Sequence, residues 1–287
     1  MRIRATVAAV SGALALSAFV VPAAHATDAP SYRAEAAKAV TASGKSAYTA
    51  STAADLGVSF SNLKIASAIK VGTTNHVSTT VTYTLTHGAA YDINSDDFDN
   101  GPFLYKGSSP DTAVNVLFGD APADCTAVTA TTASCTALID IYPDMGELMN
   151  SDAGSWGVGG LAVQYSTNDS TVQGGLGTTK VQRYSKLTVN ASPEPVKKGK
   201  TITVTGKLSR ANWEDNLYHG YTGQSVKLQF RKKDSSTYTT LKTITSDSTG
   251  SLKTTTTASA DGYYRFSFAG TSTTPAVNAT GDYVDVQ

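Results

Sequence analysis

The sequence predicts an all-β chain of two sandwich domains behind an N-terminal export signal. Three observations carry this reading. Apolar and polar residues alternate with period two through successive short runs, the pattern of strands with one dry and one wet face. Gly, Pro, Asn and Asp punctuate the runs, as turn formers do. No long amphipathic helical pattern interrupts them. With 287 residues, the chain has room for two domains at about 150 residues each. Only 16% of residues are charged, against roughly 25% in ordinary soluble proteins, while 41 Thr and 30 Ser make the expected surface neutral and hydroxyl-rich. The 23 basic and 23 acidic side chains cancel. That balance excludes the global basicity of a nucleic-acid binder and the charge-rich composition of disorder.

The first element is an address. Arg2 and Arg4 precede an uncharged apolar run over 5–21, and Pro22 then leads to Ala24-His25-Ala26, the small-x-small pattern of a signal-peptidase site. Residues 1–26 are therefore expected to be a cleaved signal peptide. The apolar run is shorter than the ~20 residues a spanning helix needs, so no membrane span is expected in the mature chain, which is read as secreted. Residues 27–51 are Ala-rich, with Tyr32, Ala36, Ala37 and Val40 at loosely helical spacing, and are expected to form a flexible or partly helical leader.

Residues 52–183 are expected to form the N-terminal β-sandwich. Val77, Val81, Tyr83 and Leu85 share one parity against Ser78, Thr80, Thr82 and Thr84, and strand-like runs follow at 113–118, 126–131, 137–142, 156–165 and 180–187. Cys125 and Cys135 are the only cysteines. In an oxidising compartment two strand-borne cysteines this close predict one disulfide that pins a hairpin. Residues 184–287 alternate more cleanly. Ile202, Val204 and Leu208 oppose Thr201, Thr203, Thr205 and Lys207; Val226, Leu228 and Phe230 oppose Lys227, Gln229 and Arg231; Tyr264, Phe266 and Phe268 oppose Tyr263, Arg265 and Ser267. With further runs at 187–189, 241–244, 252–257 and 283–286, seven strands fall within some 100 residues, the size and count of an immunoglobulin-like sandwich. Residues 27–183 carry net charge −7 and residues 184–287 net +5, so the halves are expected to attract each other.

The segments SPEPVKKGKTITVTGKLSR (192–210), GYTGQSVKLQFR (220–231) and DGYYRFSFAGTSTT (261–274) resemble the bacterial Ig-like domains of extracellular proteins. The whole chain is similar to secreted proteins of actinomycete bacteria that carry this module at the C-terminus. The resemblance implies an Ig-like fold and an extracellular setting, and no catalytic residues.

Reactive motifs are sparse. Past the signal region only His76, His87 and His219 remain, and there is neither a G-x-S-x-G elbow nor an H-E-x-x-H pair, so nucleophilic and zinc-peptidase chemistries lack their parts. Ser43-Gly44-Lys45-Ser46 lacks the upstream Gly of a phosphate-binding loop, and Gly174-Gly175-Leu176-Gly177 reads as a flexible connection. Asp92, Asn94, Asp96, Asp97 and Asp99 are the candidate ligands for a hard cation such as Ca²⁺. Asp97 stands where an EF-hand needs Gly, and Asx clusters are also ordinary turn formers. The stretch 211–223 reads as a long loop rich in aromatics. Its Trp213, Tyr218 and Tyr221 are the candidate ligand-binding residues, either as a stacking surface for sugars or as packing at one end of the sandwich. The expectation is a non-enzymatic extracellular or cell-envelope interaction protein without a cofactor, its partner an extracellular protein or a cell-wall polysaccharide. A hydrolase would instead require Asp140, Asp144 and Glu147 to converge on a cleft.

Overall fold

The computed structural model describes residues 32–43 and 54–287. The signal-peptide reading over 1–26 and the motif residues 44–46 lie outside the described residues. Helix α1 (Tyr32–Ser43) is followed by nine strands: β1 (Ser59–Lys64), β2 (Ile69–Val71), β3 (Val77–Thr86), β4 (Phe98–Lys106), β5 (Asn115–Phe118), β6 (Asp124–Thr129), β7 (Thr132–Ile141), β8 (Gly154–Gln164) and β9 (Asp169–Arg183). They form two sheets, ordered β1-β3-β7-β6 and β2-β9-β8-β4-β5. All pairings are antiparallel except β2 with β9. Lettered in chain order, with β1 and β2 as one strand that changes sheets, this is A-B-E-D against G-F-C-C′, an Ig-like order.

The sandwich core follows from the alternation. Val81, Tyr83 and Leu85 of β3 and Ile139 of β7 face Leu104, Trp156, Val158 and Ala162 of the other sheet, all buried. β4 and β8, however, are buried on both faces. Their outward side chains Phe103, Tyr105, Leu161 and Val163 pack beneath Tyr32, Ala36 and Val40 of α1. The segment expected as a leader thus contains a docked helix, and its small residues let the backbone lie close to the sheet. A Cβ added to Gly101 would fall 2.1 Å from the Tyr32 hydroxyl, and one on Gly159 would fall 2.4 Å from Phe103 Cζ. Glycine is what allows both approaches. The Gly174–Gly177 stretch, expected to be a flexible connection, instead lies inside β9, beside a bulge opposite Val158 and Gly160.

The second half contains β10 (Ser185–Leu187), β11 (Asn190–Ser192), β12 (Thr201–Asn212), β13 (Leu217–Gly220), β14 (Ser225–Lys232), β15 (Thr239–Thr245), β16 (Ser251–Thr257), β17 (Gly262–Phe268), β18 (Val277–Asn278) and β19 (Asp282–Val284). One sheet gathers β10, β11, β13 and β16 around β12; the other runs β15-β14-β17, with β18 and β19 both on β17. The order is again Ig-like, A-B-E against G-F-C-C′, and a parallel bridge joins Val196 to Val286 just as β2 joins β9. The protein is therefore all-β, two Ig-like sandwiches in sequence.

The halves are joined by an element the sequence concealed. The expected loop at 211–223 is largely a hairpin, in which β12 runs on past its sandwich and returns as β13, pairing Asn212 with Leu217 and Ser209 with Gly220. Ala211 and Trp213 at its tip are buried in the core of the first sandwich. Burying an indole removes roughly 150–250 Å² from water, about 4–6 kcal/mol of transfer free energy. Polar contacts complete the seam. Trp213 Nε1 donates to the Gly72 carbonyl (2.9 Å), Arg183 Nε to that of Ala211 (2.6 Å), Asn150 Nδ2 to Asn212 Oδ1 (2.5 Å) and Gln182 Nε2 to the Thr271 carbonyl (3.0 Å). The opposite net charges of the halves are not expressed as bridges: among the described residues no ion pair joins 54–183 to 184–287.

Candidate functional site

Strand register builds the densest cluster of reactive side chains. β3 and β7 pair with Ser78 opposite Asp140, so both side chains rise on one face of the sheet, and His76 stands two residues before Ser78. Asp140 is only 4% exposed. Its Oδ1 accepts from Ser78 Oγ (2.5 Å) and His76 Nε2 (2.9 Å), and its Oδ2 accepts from the Asp120 backbone amide (3.0 Å). The His76 ring lies flat on Tyr142, with centroids 4.2 Å apart and planes 3° from parallel. Tyr142 donates its hydroxyl to Asp120, and Arg33 of α1 bridges Asp120 (2.7 Å) and Glu147. The hydrogen bond to Asp120 pushes the Tyr142 phenol up to about 12. Burial raises the Asp120 carboxyl, but hydrogen bonds from Tyr142 and Arg33 and the guanidinium charge outweigh it and hold the group below its ordinary value.

Ser, His and Asp meet here without forming a catalytic relay. A relay needs the serine on one imidazole nitrogen and the carboxylate on the other. In this cluster Ser78 Oγ (3.2 Å) and Asp140 share Nε2. That nitrogen's proton is donated to the carboxylate, leaving no lone pair to take the serine's proton. Of the three acids that a hydrolase would need, Asp140 and Glu147 enter this network, Glu147 held by Arg33 and by the Tyr142 amide (2.7 Å), while Asp144 is exposed apart from it.

The other predicted residues are dispersed. Asp92 Oδ1 accepts from the Asn94 amide (3.1 Å) in a local turn. Asp97 accepts from Ser166 and Gln164, bonds that hold it below the ordinary carboxylate value, and Asp99 accepts from the Tyr165 hydroxyl (2.5 Å). Asp92, Asp97 and Asp99 thus each accept from a different partner; among the described residues, the imidazole and carboxylate donors lying within 4.8 Å of one another are those of His76, Asp120 and Asp140. The aromatic trio likewise offers no open stacking surface. Trp213 is 2% exposed, Tyr218 lies under Lys186 Nζ (3.6 Å), and Tyr221 lies under the Arg210 guanidinium (3.9 Å) with its edge to Phe268. His87 is buried with Nδ1 donating to the Gly88 carbonyl (3.0 Å), and His219 pairs with Asp215 (2.6 Å) on the surface. Cys125 and Cys135 form the expected disulfide across the β6–β7 hairpin.

Sequence reading missed a pocket of about 490 Å³ beside the cluster, lined by Arg33, Val114, Glu147, Met149 and Asp152 among others. On its wall Val114 and Met149 are 82% and 60% exposed, and Met145, next in the chain to the lining residue Gly146, is 73% exposed. Arg33 and Glu147 belong to both the pocket and the polar network. The linear signal is weak: Val114, Met145 and Met149 are apolar residues scattered among the polar and turn-forming residues around β5 and after β7.

No family model matches the chain, and no curated protein matches it. Among solved structures, a marsupial T cell receptor is similar over 80% of this chain and 73% of its own, at 14% identity and TM-score 0.35. The Yersinia pseudotuberculosis adhesin InvE covers 78% of this chain and 58% of its own, at 13% and 0.25. The D00-D0 domain of intimin covers 79% and 99%, at 13% and 0.27. Likenesses this distant carry no functional argument, and the class of protein rests on strand order: two consecutive Ig-like sandwiches. Among the described residues no helix is long and apolar enough to cross a membrane.

Proposed function

We propose that the chain is an exported, non-enzymatic interaction protein of the cell surface or its surroundings, and that it binds a protein partner through the apolar-rimmed pocket at the β5 edge of the first sandwich. Export is supported by the N-terminal signal pattern and by the disulfide, which suits an oxidising compartment. The observation that carries the binding reading is that Val114 and Met149, both largely exposed, line one concavity, with the exposed Met145 next in the chain to its Gly146. Soluble proteins seldom leave such side chains grouped without a partner. Aliphatic and thioether side chains mould to apolar protein surface, whereas sugar recognition would call for open aromatic faces, and those of Trp213, Tyr218 and Tyr221 are covered. Non-enzymatic character is supported by the single shared nitrogen of the Ser78-His76-Asp140 cluster.

The test uses the full chain, since Trp213 ties the halves together. Immobilised protein is expected to capture a defined protein from cell-envelope extract, and Val114→Glu combined with Met149→Glu is expected to weaken capture about tenfold or more, as loss of a buried interface anchor does, with an unchanged circular dichroism spectrum. Equal capture by the folded variant would exclude this surface.

A further inference from the structure

We infer that His76, Asp120 and Asp140 form a binding site for one divalent transition-metal ion of the zinc class, a property beyond the partner-binding reading. Their donor atoms lie within 4.8 Å of one another; on binding, the ion takes the place of the Nε2 proton, and the neutral imidazole carries its proton on Nδ1. Zn²⁺ sits roughly 2.0–2.2 Å from nitrogen and oxygen ligands in a tetrahedron, which places neighbouring donors about 3.4 Å apart, a little wider than hydrogen-bond distances. His76 Nε2 and Asp140 Oδ1 are already 2.9 Å apart, and Ser78 Oγ, a fourth donor, is 2.5 Å from that oxygen and 3.2 Å from that nitrogen. The imidazole distinguishes the set from a calcium site, which takes six to eight oxygens.

Two further features of the cluster suit a cation. Arg33 pairs with two carboxylates, Asp120 and Glu147, and a third, Asp140, accepts from the Asp120 amide, so negative charge exceeds positive and a bound cation would offset it. The ligands are also held in place from behind. Tyr142 stacks on His76 and hydrogen-bonds Asp120, Arg33 fixes Asp120, and the Asp120 amide fixes Asp140. Such outer contacts set ligand orientation in metal sites. His76 and Asp120 are each about half exposed while Asp140 is buried, giving the ion an entry path and one anchored ligand.

The experiment is calorimetric titration of tag-free protein with Zn²⁺ and, separately, Ca²⁺, alongside the visible spectrum of the Co²⁺-loaded protein. One Zn²⁺ per chain is expected, bound more tightly than Ca²⁺. His76→Gln and Asp120→Asn are each expected to weaken binding about tenfold or more and to abolish the Co²⁺ ligand-field bands, while His219→Gln leaves both unchanged. The two variants lie on different elements, so misfolding of one leaves the other informative, and circular dichroism identifies which is folded. Absence of saturable Zn²⁺ binding, binding that persists in either folded variant, or a preference for Ca²⁺ would overturn the inference.

Discussion

The two sandwiches share a strand order but treat the same sheet differently. In the first, the outer face of β9-β8-β4-β5 presents Phe103, Phe118, Leu161 and Val163, and α1 covers it. In the second, the outer face of the matching sheet, β15-β14-β17, is wet and carries Lys227, Gln229, Arg231, Tyr263 and Arg265. There Arg231 lies over Tyr263 and Arg265 over Tyr238, each at 3.8 Å, exposed contacts worth about 0.5–1 kcal/mol apiece. One topology thus supports a sheet buried on both faces and a sheet buried on one. The choice is written in the odd-numbered positions of β4 and β8 and in a helix outside the sandwich. The first half needs that helix as part of its fold; the second needs no cover.

The comparison breaks most sharply at Trp213, a residue of the second half's sequence that is buried in the first half's core. Trp213→Ala is expected to cost about 3–5 kcal/mol, the range for truncating a buried large aromatic, and the loss should fall on the first sandwich. The chain has two Trp, so in this variant Trp156, buried in the first sandwich, is the sole indole and its fluorescence follows that half alone. Urea unfolding is expected to show the Trp156 transition moving to lower denaturant ahead of the far-ultraviolet signal of the second half. A Trp156 transition in the variant within about 1 kcal/mol of the wild-type midpoint, small on the scale of core truncations, would show that the hairpin tip does not support the first core.

This asymmetry also explains what was legible in the sequence. Where one face is wet, as in β3, β12, β14 and β17, period two stood out and the strands were placed correctly. β4 was invisible because Asp99-Asn100-Gly101-Pro102 in its first half has the composition of a turn, and its doubly buried second half, Phe103-Leu104-Tyr105, is too short and too uniformly apolar to alternate. The helix was half legible: Tyr32, Ala36 and Val40 had the right spacing, but nothing local says that an Ala-rich segment has a sheet to lie on. The 211–223 hairpin was misread because Glu214, Asp215 and Asn216 look like loop, and Asn216 does take a left-handed φ of 59° at the turn. The polar cluster was the least legible. His76, Asp120 and Asp140 are brought together by β3–β7 register and by the chain passing over β7, and no spacing rule encodes either. Asp140 and Glu147 are legible as acids, whereas nothing in the sequence around His76 sets it apart from His87 and His219.

The disulfide sharpens the comparison at the opposite edge of the first sandwich. β6 is an edge strand whose side chains are exposed apart from the half-buried Cys125, so little packing holds it to β7, whereas the second half has no disulfide and its short sheet is organised around the long β12. Replacing Cys125 and Cys135 with Ala is expected to cost about 2–3 kcal/mol, the loop-closure value for a ring this small. Hydrogen exchange should accelerate in the amides of β6 and β7 and leave β14 and β17 unchanged. A uniform acceleration across both halves would mean that the bridge supports the whole chain and not one hairpin.

The smallest expected effect is acid sensitivity, which the two halves share. In the first, hydrogen bonds from Ser166 and Gln164 hold Asp97 below its ordinary 3.8; in the second, hydrogen bonds from Thr249 and Ser251 do the same for Asp247, and the Val286 amide with Lys233 for Asp261. A carboxylate whose folded pKa is depressed contributes stability that is fully present above the unfolded value and is lost as pH falls through the folded one. The melting temperature should therefore be level through the weakly acidic range and decline below about pH 4, where unfolded carboxyls begin to take up protons. All three groups are exposed, so solvent screening keeps each contribution small. Asp97→Asn should flatten the decline only in the transition reported by Trp156 of the Trp213→Ala background, and Asp247→Asn only in that of the second half. If either substitution flattens both transitions equally, the halves unfold as one unit under acid, and the seam around Trp213 is not the weak point between them.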